Sequence, residues 1–341
     1  MFKAGIYKTI SAVAFTAYLV TTSAVSTAGT IYSDVYVFGD SLSDTGNVRD
    51  SLGFLGGVLR NTIGYGGNDR FSNGDVWHEY LSADLGLPDS RNSLDGGNNF
   101  AYGGALASGG DGITGAIALG MDAQINQYIG RQNGNPSDAD ALFITWVGGN
   151  DVRGYVGQSD PLAELEKTLD TMIVSLGQLL NSGVSTLMVP NLPDLGAIPE
   201  FASSANSAQA TELTIAWNTG LDSRLRNLNE LFDVELYYFD VYSIFNDLLN
   251  SPGDFGFTDT TSQCRSISSG FFSRERACAN AGQTVFWDFI HPTTAAHDLL
   301  AVFAFDQLDN NQFLVPTPGT IIIFMGSLLL IVAQRKKGIR S

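Results

Sequence analysis

Four short, unbroken apolar runs set the frame of this chain: Val35–Phe38, Ala141–Val147, Ser185–Val189 and Val234–Phe239. They are bounded by Gly39, Gly148-Gly149, Pro190 and Asp240. Strands with no polar alternation have no wet face, which suits a parallel sheet buried on both sides. Between the last two runs, Leu213, Trp217, Leu221, Leu225, Leu228 and Phe232 recur at helical spacing across Glu212–Phe232. Ahead of Ser185, Leu162, Leu165, Leu169, Met172, Leu176 and Leu179 form a second one-faced helix. Strand, helix, strand, helix predicts an α/β fold with helices on both faces of a central sheet. No internal repeat or linker divides this region. Gly-rich stretches at 52–67 and 103–120 read as long surface loops, where α/β enzymes carry substrate contacts.

The two ends of the 341-residue chain are of different character. Residues 1–28 read as a secretory signal: Lys3 and Lys8, an apolar run around Ile10–Val20, then small residues. Cleavage after Ala28 (Ser26-Thr27-Ala28) or Ala24 (Thr22-Ser23-Ala24) suits the small-residue rule. At the other end, Val315-Pro316-Thr317-Pro318 leads into the uncharged stretch Thr320–Ala333, and then Arg335-Lys336-Lys337. A helix of that length spans roughly 21 Å against a bilayer core of ~30 Å, short for a stable anchor. This layout resembles the PEP-CTERM sorting tail of Gram-negative bacteria, with VPTP in place of VPEP. The resemblance implies export and sorting machinery as partners, and a destination at the cell surface or its extracellular matrix. A plain single-pass membrane anchor over 315–341 is the alternative.

What lies between, residues 29–314, is expected to be one domain. Without the six basic residues of the two ends it keeps 12 Lys and Arg against 35 acidic residues, a net charge of −23. Such a surface repels nucleic acid and anionic membranes and favours solubility. The only cysteines, Cys264 and Cys278, are expected to form a disulfide in an exported protein, closing a loop worth roughly 3 kcal/mol. Two cysteines and three scattered histidines lack metal-ligand spacing, and a zinc site is not expected.

Gly39-Asp40-Ser41-Leu42-Ser43-Asp44 directly follows the first strand, where open α/β sheets place their ligands. A tight turn there leaves the serine hydroxyl exposed. Alone, a Gly-Asp-Ser triplet means little, because turns use these residues constantly. Three more segments add to it. Asn99-Phe100-Ala101-Tyr102-Gly103-Gly104-Ala105 offers a glycine N–H that can approach a ligand closely. Val147-Gly148-Gly149-Asn150-Asp151 ends the next strand, so the Asn150 amide can point into the same crevice. Asp288-Phe289-Ile290-His291-Pro292 puts a carboxylate three residues before a histidine, within reach on a helical turn.

Together these segments resemble the four blocks of the GDSL or SGNH-hydrolase family, in family order. Arg70-Phe71-Ser72-Asn73-Gly74 with Val76-Trp77, and Val189-Pro190-Asn191-Leu192-Pro193, resemble segments of its lipase-like branch. The resemblance implies a flavodoxin-like three-layer α/β/α fold and acyl transfer through a covalent intermediate. By it, Ser41 is the nucleophile, His291 the base and Asp288 its orienting carboxylate, and neither metal nor organic cofactor is needed. The oxyanion donors are the Ser41 N–H, the Gly104 N–H and the Asn150 side chain, with Gly104 preferred to Gly103 by counting from Asn99. No Gly-x-Ser-x-Gly elbow occurs, which removes the main support for an ordinary α/β-hydrolase.

Other candidates read as structural. His78 and His297 are assigned no chemical role, and Asp40 and Asp44 are expected to fix the nucleophile's turn through backbone hydrogen bonds. Gly110-Asp111-Gly112-Ile113-Thr114-Gly115 matches a dinucleotide fingerprint without the strand that motif requires. Two function classes follow. One is a serine esterase or lipase acting on lipid or acylated polysaccharide, with acyl transfer as a variant. The other is a surface-displayed binding protein on the same fold.

Overall fold

A computed structural model describes residues 32–54, 68–109, 118–232, 234–267 and 275–310. The signal expected over 1–28 and the tail over 315–341 lie outside the described residues. So do residues 55–67 and 110–117 of the Gly-rich stretches, and with them the fingerprint-like segment at 110–115.

The four apolar runs form one parallel sheet: β1 (Val35–Gly39), β2 (Leu142–Trp146), β3 (Thr186–Pro190) and β4 (Glu235–Phe239), hydrogen-bonded in that order. The sequence did not signal what lies on the open edge of β1. There Asn98–Tyr102 runs alongside it: Val37 N–H donates to Asn98 O (3.0 Å), Phe100 N–H to Val37 O (2.7 Å) and Tyr102 N–H to Gly39 O (3.0 Å). Counting this segment, spatial order departs from chain order only around β1. That is the flavodoxin-like arrangement, and its reversal between β1 and β2 is a switch point where α/β sheets bind ligands.

Helices α1 (Asn47–Ser51), α2 (Trp77–Asp84), α3 (Met121–Gln132), α4 (Gly149–Tyr155), α5 (Pro161–Asn181), α6 (Ser207–Phe232), α7 (Val241–Asn250) and α8 (Thr294–Asp309) cover the sheet. Alternate strand residues go to opposite faces, as the pleat requires. Phe38, Phe143, Leu187 and Leu236 enter one core with α3, α5 and α6. Val37, Ile144, Met188 and Tyr237 enter the other with α2 and α8. At ~1.5–3 kcal/mol for each fully buried large side chain, these two layers are the main favourable term in folding. Under β1, Tyr128 meets the edges of Phe38 and Phe100, both with ring centroids 5.7 Å apart.

Beyond β4 come two short ribbons: β5 (Asp259–Gln263) beside β8 (Thr284–Phe286), and β6 (Arg265–Ile267) antiparallel to β7 (Glu275–Ala277). The disulfide Cys264–Cys278 ties them together, with Cα atoms 4.7 Å apart. The ribbon it staples leads into the segment that carries Asp288 and His291.

Candidate active site

The chain must reverse sharply after β1, and side chains hold that reversal in place. Asp40 Oδ1 accepts the Leu42 N–H (3.0 Å), and Asp40 O accepts the Ser43 N–H (3.1 Å). Beneath the turn, Ser43 Oγ accepts from Trp77 Nε1 (3.1 Å), and Ser43 O accepts from Asn99 Nδ2 (2.6 Å) and His78 Nε2 (2.8 Å). Asp44 accepts the N–H groups of Gly46 (2.8 Å), Asn47 (2.8 Å), Val48 (3.2 Å) and Gly103 (2.9 Å). Asp40 and Asp44 therefore serve the turn, as expected. Ser41 is left at the mouth of the crevice, 9 % exposed.

His291 approaches Ser41 from the far end of the chain, 250 residues away, with Nε2 2.8 Å from Ser41 Oγ. On its other side, His291 Nδ1 lies 2.8 Å from Asp288 Oδ2 and 3.0 Å from Oδ1. A carboxylate only accepts, so Nδ1 carries the proton and Nε2 is free to accept from the serine. The expected helical turn between Asp288 and His291 is absent. The segment is a bend, and Asp288 Oδ1 itself shapes it by accepting the N–H groups of Ile290 (2.9 Å) and His291 (2.8 Å). An Asx-type turn achieves what helical spacing was expected to do. Burial alone raises the Asp288 pKa, but the neighbouring His291 charge and these hydrogen bonds outweigh it and hold the carboxyl down at about 2. The Phe71 ring lies beside the imidazole, with centroids 5.2 Å apart. Phe71 belongs to a segment singled out in the sequence, yet nothing there revealed that it meets His291.

The backbone N–H groups of the segments expected to supply oxyanion donors differ in their partners. The Gly103 N–H is taken by Asp44, whereas the Ser41 and Gly104 N–H groups have no partner among the described residues. Gly104 adopts φ +82°, a left-handed conformation that favours glycine. Asn150 sits at the start of α4, just past Gly148, whose φ of +114° lets the chain leave β2 sharply. A Cβ at Gly148 would lie 2.2 Å from the Trp217 ring, so the backbone runs hard against that indole. Asn150 Nδ2 donates to Ala105 O (3.1 Å) and lies 3.4 Å from Asp40 Oδ2.

The carboxylates around the crevice are buried. Burial pushes Asp40 up to about 6 and Asp44 likewise to about 6. Asp151, which accepts the Ala107 N–H at 3.0 Å, is pushed by burial up to about 7. Both other histidines are buried. Burial lowers His78, and burial first, then the charges of His291 and His78, lowers His297 to about 3. Both stay neutral near pH 7, and neither contacts Ser41.

Beside Ser41 opens a cleft. Leu192, Ile198, Val241, Phe245, Phe286 and Leu299 line it, drawn from the loop after β3 and from α7, β8 and α8. Arg153 is the cation on its wall. These residues lie far apart in sequence and each fits an ordinary core position, so no local pattern marks them as a pocket.

The sequence matches the GDSL-like lipase/acylhydrolase family over residues 35–302. It is 24 % identical to phosphatidylcholine-sterol acyltransferase of Aeromonas hydrophila, over 79 % of this chain and 88 % of that one. It is 26 % identical to a GDSL esterase/lipase of Arabidopsis thaliana, over 82 % of this chain and 83 % of that one. Among solved structures, an aryl esterase of M. smegmatis aligns over 81 % of this chain and 98 % of its own, at 15 % identity and a TM-score of 0.43. With its family match spanning both the turn after β1 and the Asp288–His291 bend, this chain belongs to the GDSL-like lipase/acylhydrolase family and is a serine hydrolase of carboxylic esters.

Proposed function

We propose that Ser41, His291 and Asp288 form the catalytic triad of an exported enzyme that cleaves esters of aliphatic acyl chains. The observation that carries this reading is the unbroken contact from Ser41 Oγ through His291 to Asp288, each step at 2.8 Å. Ser41 Oγ attacks the acyl carbonyl carbon while its proton passes to His291 Nε2. The oxyanion is met by the Ser41 N–H, the Gly104 N–H and Asn150 Nδ2. His291 then hands the proton to the departing alcohol. Water, deprotonated by His291, attacks the acyl-enzyme and releases the carboxylic acid. Asp288 keeps Nδ1 protonated throughout and stabilises the imidazolium.

The cleft supports the substrate class. Its walls are almost wholly hydrocarbon, the lining expected for an alkyl chain rather than a sugar. A disulfide in the described domain accords with an oxidising compartment, and so with removal of 1–28 on export and a sorting or anchoring role for 315–341. Acyl transfer to an alcohol is the second reading, favoured by the relative named as an acyltransferase. A p-nitrophenyl ester series from acetyl to palmitoyl tests the proposal. Rates that rise with chain length beyond butyryl are expected, and added alcohol acceptor separates transfer from hydrolysis. An optimum at acetyl would rule out the acyl-chain assignment and favour deacetylation of a glycan. Absence of turnover on every ester, from folded protein, would favour the non-catalytic binding protein.

A further inference from the structure

Arg153 is the cation on a largely oily cleft wall, and the triad leaves its purpose unexplained. Its guanidinium Nη1 donates to Asn150 Oδ1 at 3.2 Å. Two more of its nitrogens hold Glu200 in a forked pair, Nε to Oε2 at 2.6 Å and Nη2 to Oε1 at 2.7 Å. Glu200 in turn donates its own N–H to Phe289 O at 3.0 Å, inside the bend between Asp288 and His291. A continuous polar chain thus joins the Asn150 amide to the segment carrying the other two triad members. It crosses from the end of β2, through the loop after β3, to the loop after β8.

The chemistry of each contact fixes which way the Asn150 amide faces. Its oxygen meets a donor that cannot accept, and its NH₂ meets two groups that only accept, Ala105 O and Asp40. A flipped amide would set oxygen against a carboxylate and NH₂ against a guanidinium. Of the two contacts on Nδ2, the one to Asp40 at 3.4 Å is at the long limit of a hydrogen bond. That hydrogen is the one available to a developing oxyanion. Arg153 is itself neutralised by Glu200, which disfavours capture of an anionic substrate group, and it is too firmly forked to swing.

We propose that Arg153, braced by Glu200, is a positioning residue that holds Asn150 Nδ2 toward the oxyanion and couples it to the Asp288–His291 bend. The proposal rests on the reading of Asn150 as an oxyanion donor. Its effect is felt in the transition state and not in ester binding, so it belongs in kcat.

A double-mutant cycle on the full chain, with the best p-nitrophenyl ester as substrate, tests it. Asn150→Ala is expected to lower kcat about 10²-fold, the usual loss for one oxyanion donor. Arg153→Met keeps the aliphatic stem and removes the donor. It is expected to lower kcat about tenfold with KM within about twofold of wild type, part of what losing the donor outright costs. In the Asn150→Ala background, Arg153→Met is expected to change kcat by less than about twofold, because groups acting through one another are non-additive. Glu200→Gln loosens the fork while leaving both residues in place. It should show a smaller kcat loss that likewise vanishes without Asn150, and it decides the matter if Arg153→Met fails to fold. Losses that persist undiminished in the Asn150→Ala background, or that appear in KM instead of kcat, would overturn the proposal. Undiminished kcat in Asn150→Ala alone would overturn the oxyanion reading, and this proposal with it.

Discussion

Replacing Asp288 with Asn is predicted to abolish most activity while leaving the fold in place, and the geometry says why. Asp288 Oδ1 accepts two backbone N–H groups, from Ile290 and His291, so an Asn amide would turn its oxygen to that side. Its NH₂ would then face His291 Nδ1, where Oδ2 now lies at 2.8 Å. A donor there forces the proton onto Nε2, the atom that must accept from Ser41. The electrostatic part can be sized from the Asp288 carboxyl, held at about 2 against an ordinary 3.8. At 1.36 kcal/mol per unit, the carboxylate and its surroundings stabilise each other by about 2.4 kcal/mol, or roughly 60-fold in rate if all of it acts on the imidazolium. The wrong tautomer adds to this, and the combined loss in kcat is expected to be on the order of 10³–10⁴. Steady-state hydrolysis of a p-nitrophenyl ester measures the rate, and thermal unfolding at pH 7 checks the fold. Because the Asp288 pKa is depressed, the stability it contributes is present above ~4 and is lost as pH falls from ~4 toward 2. The variant should lack that step in the acid limb of its stability curve. A folded variant that kept more than about a tenth of wild-type kcat would refute the tautomer argument.

Three further outcomes are expected. Gly148→Ala combines a residue at φ +114° with a Cβ 2.2 Å from Trp217, and should destabilise the protein by about 2–5 kcal/mol in denaturant unfolding. Reduction of Cys264–Cys278 should cost about 3 kcal/mol, seen as a lower midpoint in reductant and none in a Cys264→Ser/Cys278→Ser variant, which already lacks the bond. Burial raises Asp40, Asp44 and Asp151 to about 6, 6 and 7, so the native state holds protons that the unfolded chain releases near pH 4. Stability should therefore fall as pH rises from ~4 to ~7, giving a Tm a few degrees higher at pH 5 than at pH 8. A flat profile over that range would show that these carboxyls titrate normally.

The sheet was legible because its strands lack polar alternation, and each run was located to within a residue of the observed strand. The α6 helix was read from Glu212 but begins at Ser207, since its first turn carries small and polar residues with no apolar stripe. The segment Asn99–Ala105 was read only as a source of a glycine N–H, not as a partner of β1. Its contact with β1 is made by backbone groups, to which side-chain patterns are blind. Ser41, Asp288, His291, Gly104 and Asn150 were legible as motif residues, and the fold brings Ser41, Asp288 and His291 into contact. What local sequence cannot carry is convergence. The cleft wall and the Arg153–Glu200 brace are assembled from α4, the loop after β3, α7, β8 and α8 by tertiary packing alone. The helical turn expected between Asp288 and His291 failed for a related reason, because a side-chain cap on two N–H groups competes with helical hydrogen bonding.

The most direct test of the account is to label the protein with an alkyl fluorophosphonate, which traps activated serines, and to map the adduct by peptide mass spectrometry. The account predicts one adduct, on Ser41, with ester hydrolysis lost in step with labelling and with neither label nor turnover in Ser41→Ala. Labelling at another serine, or a Ser41→Ala variant that still hydrolyses esters at the wild-type rate, would contradict it.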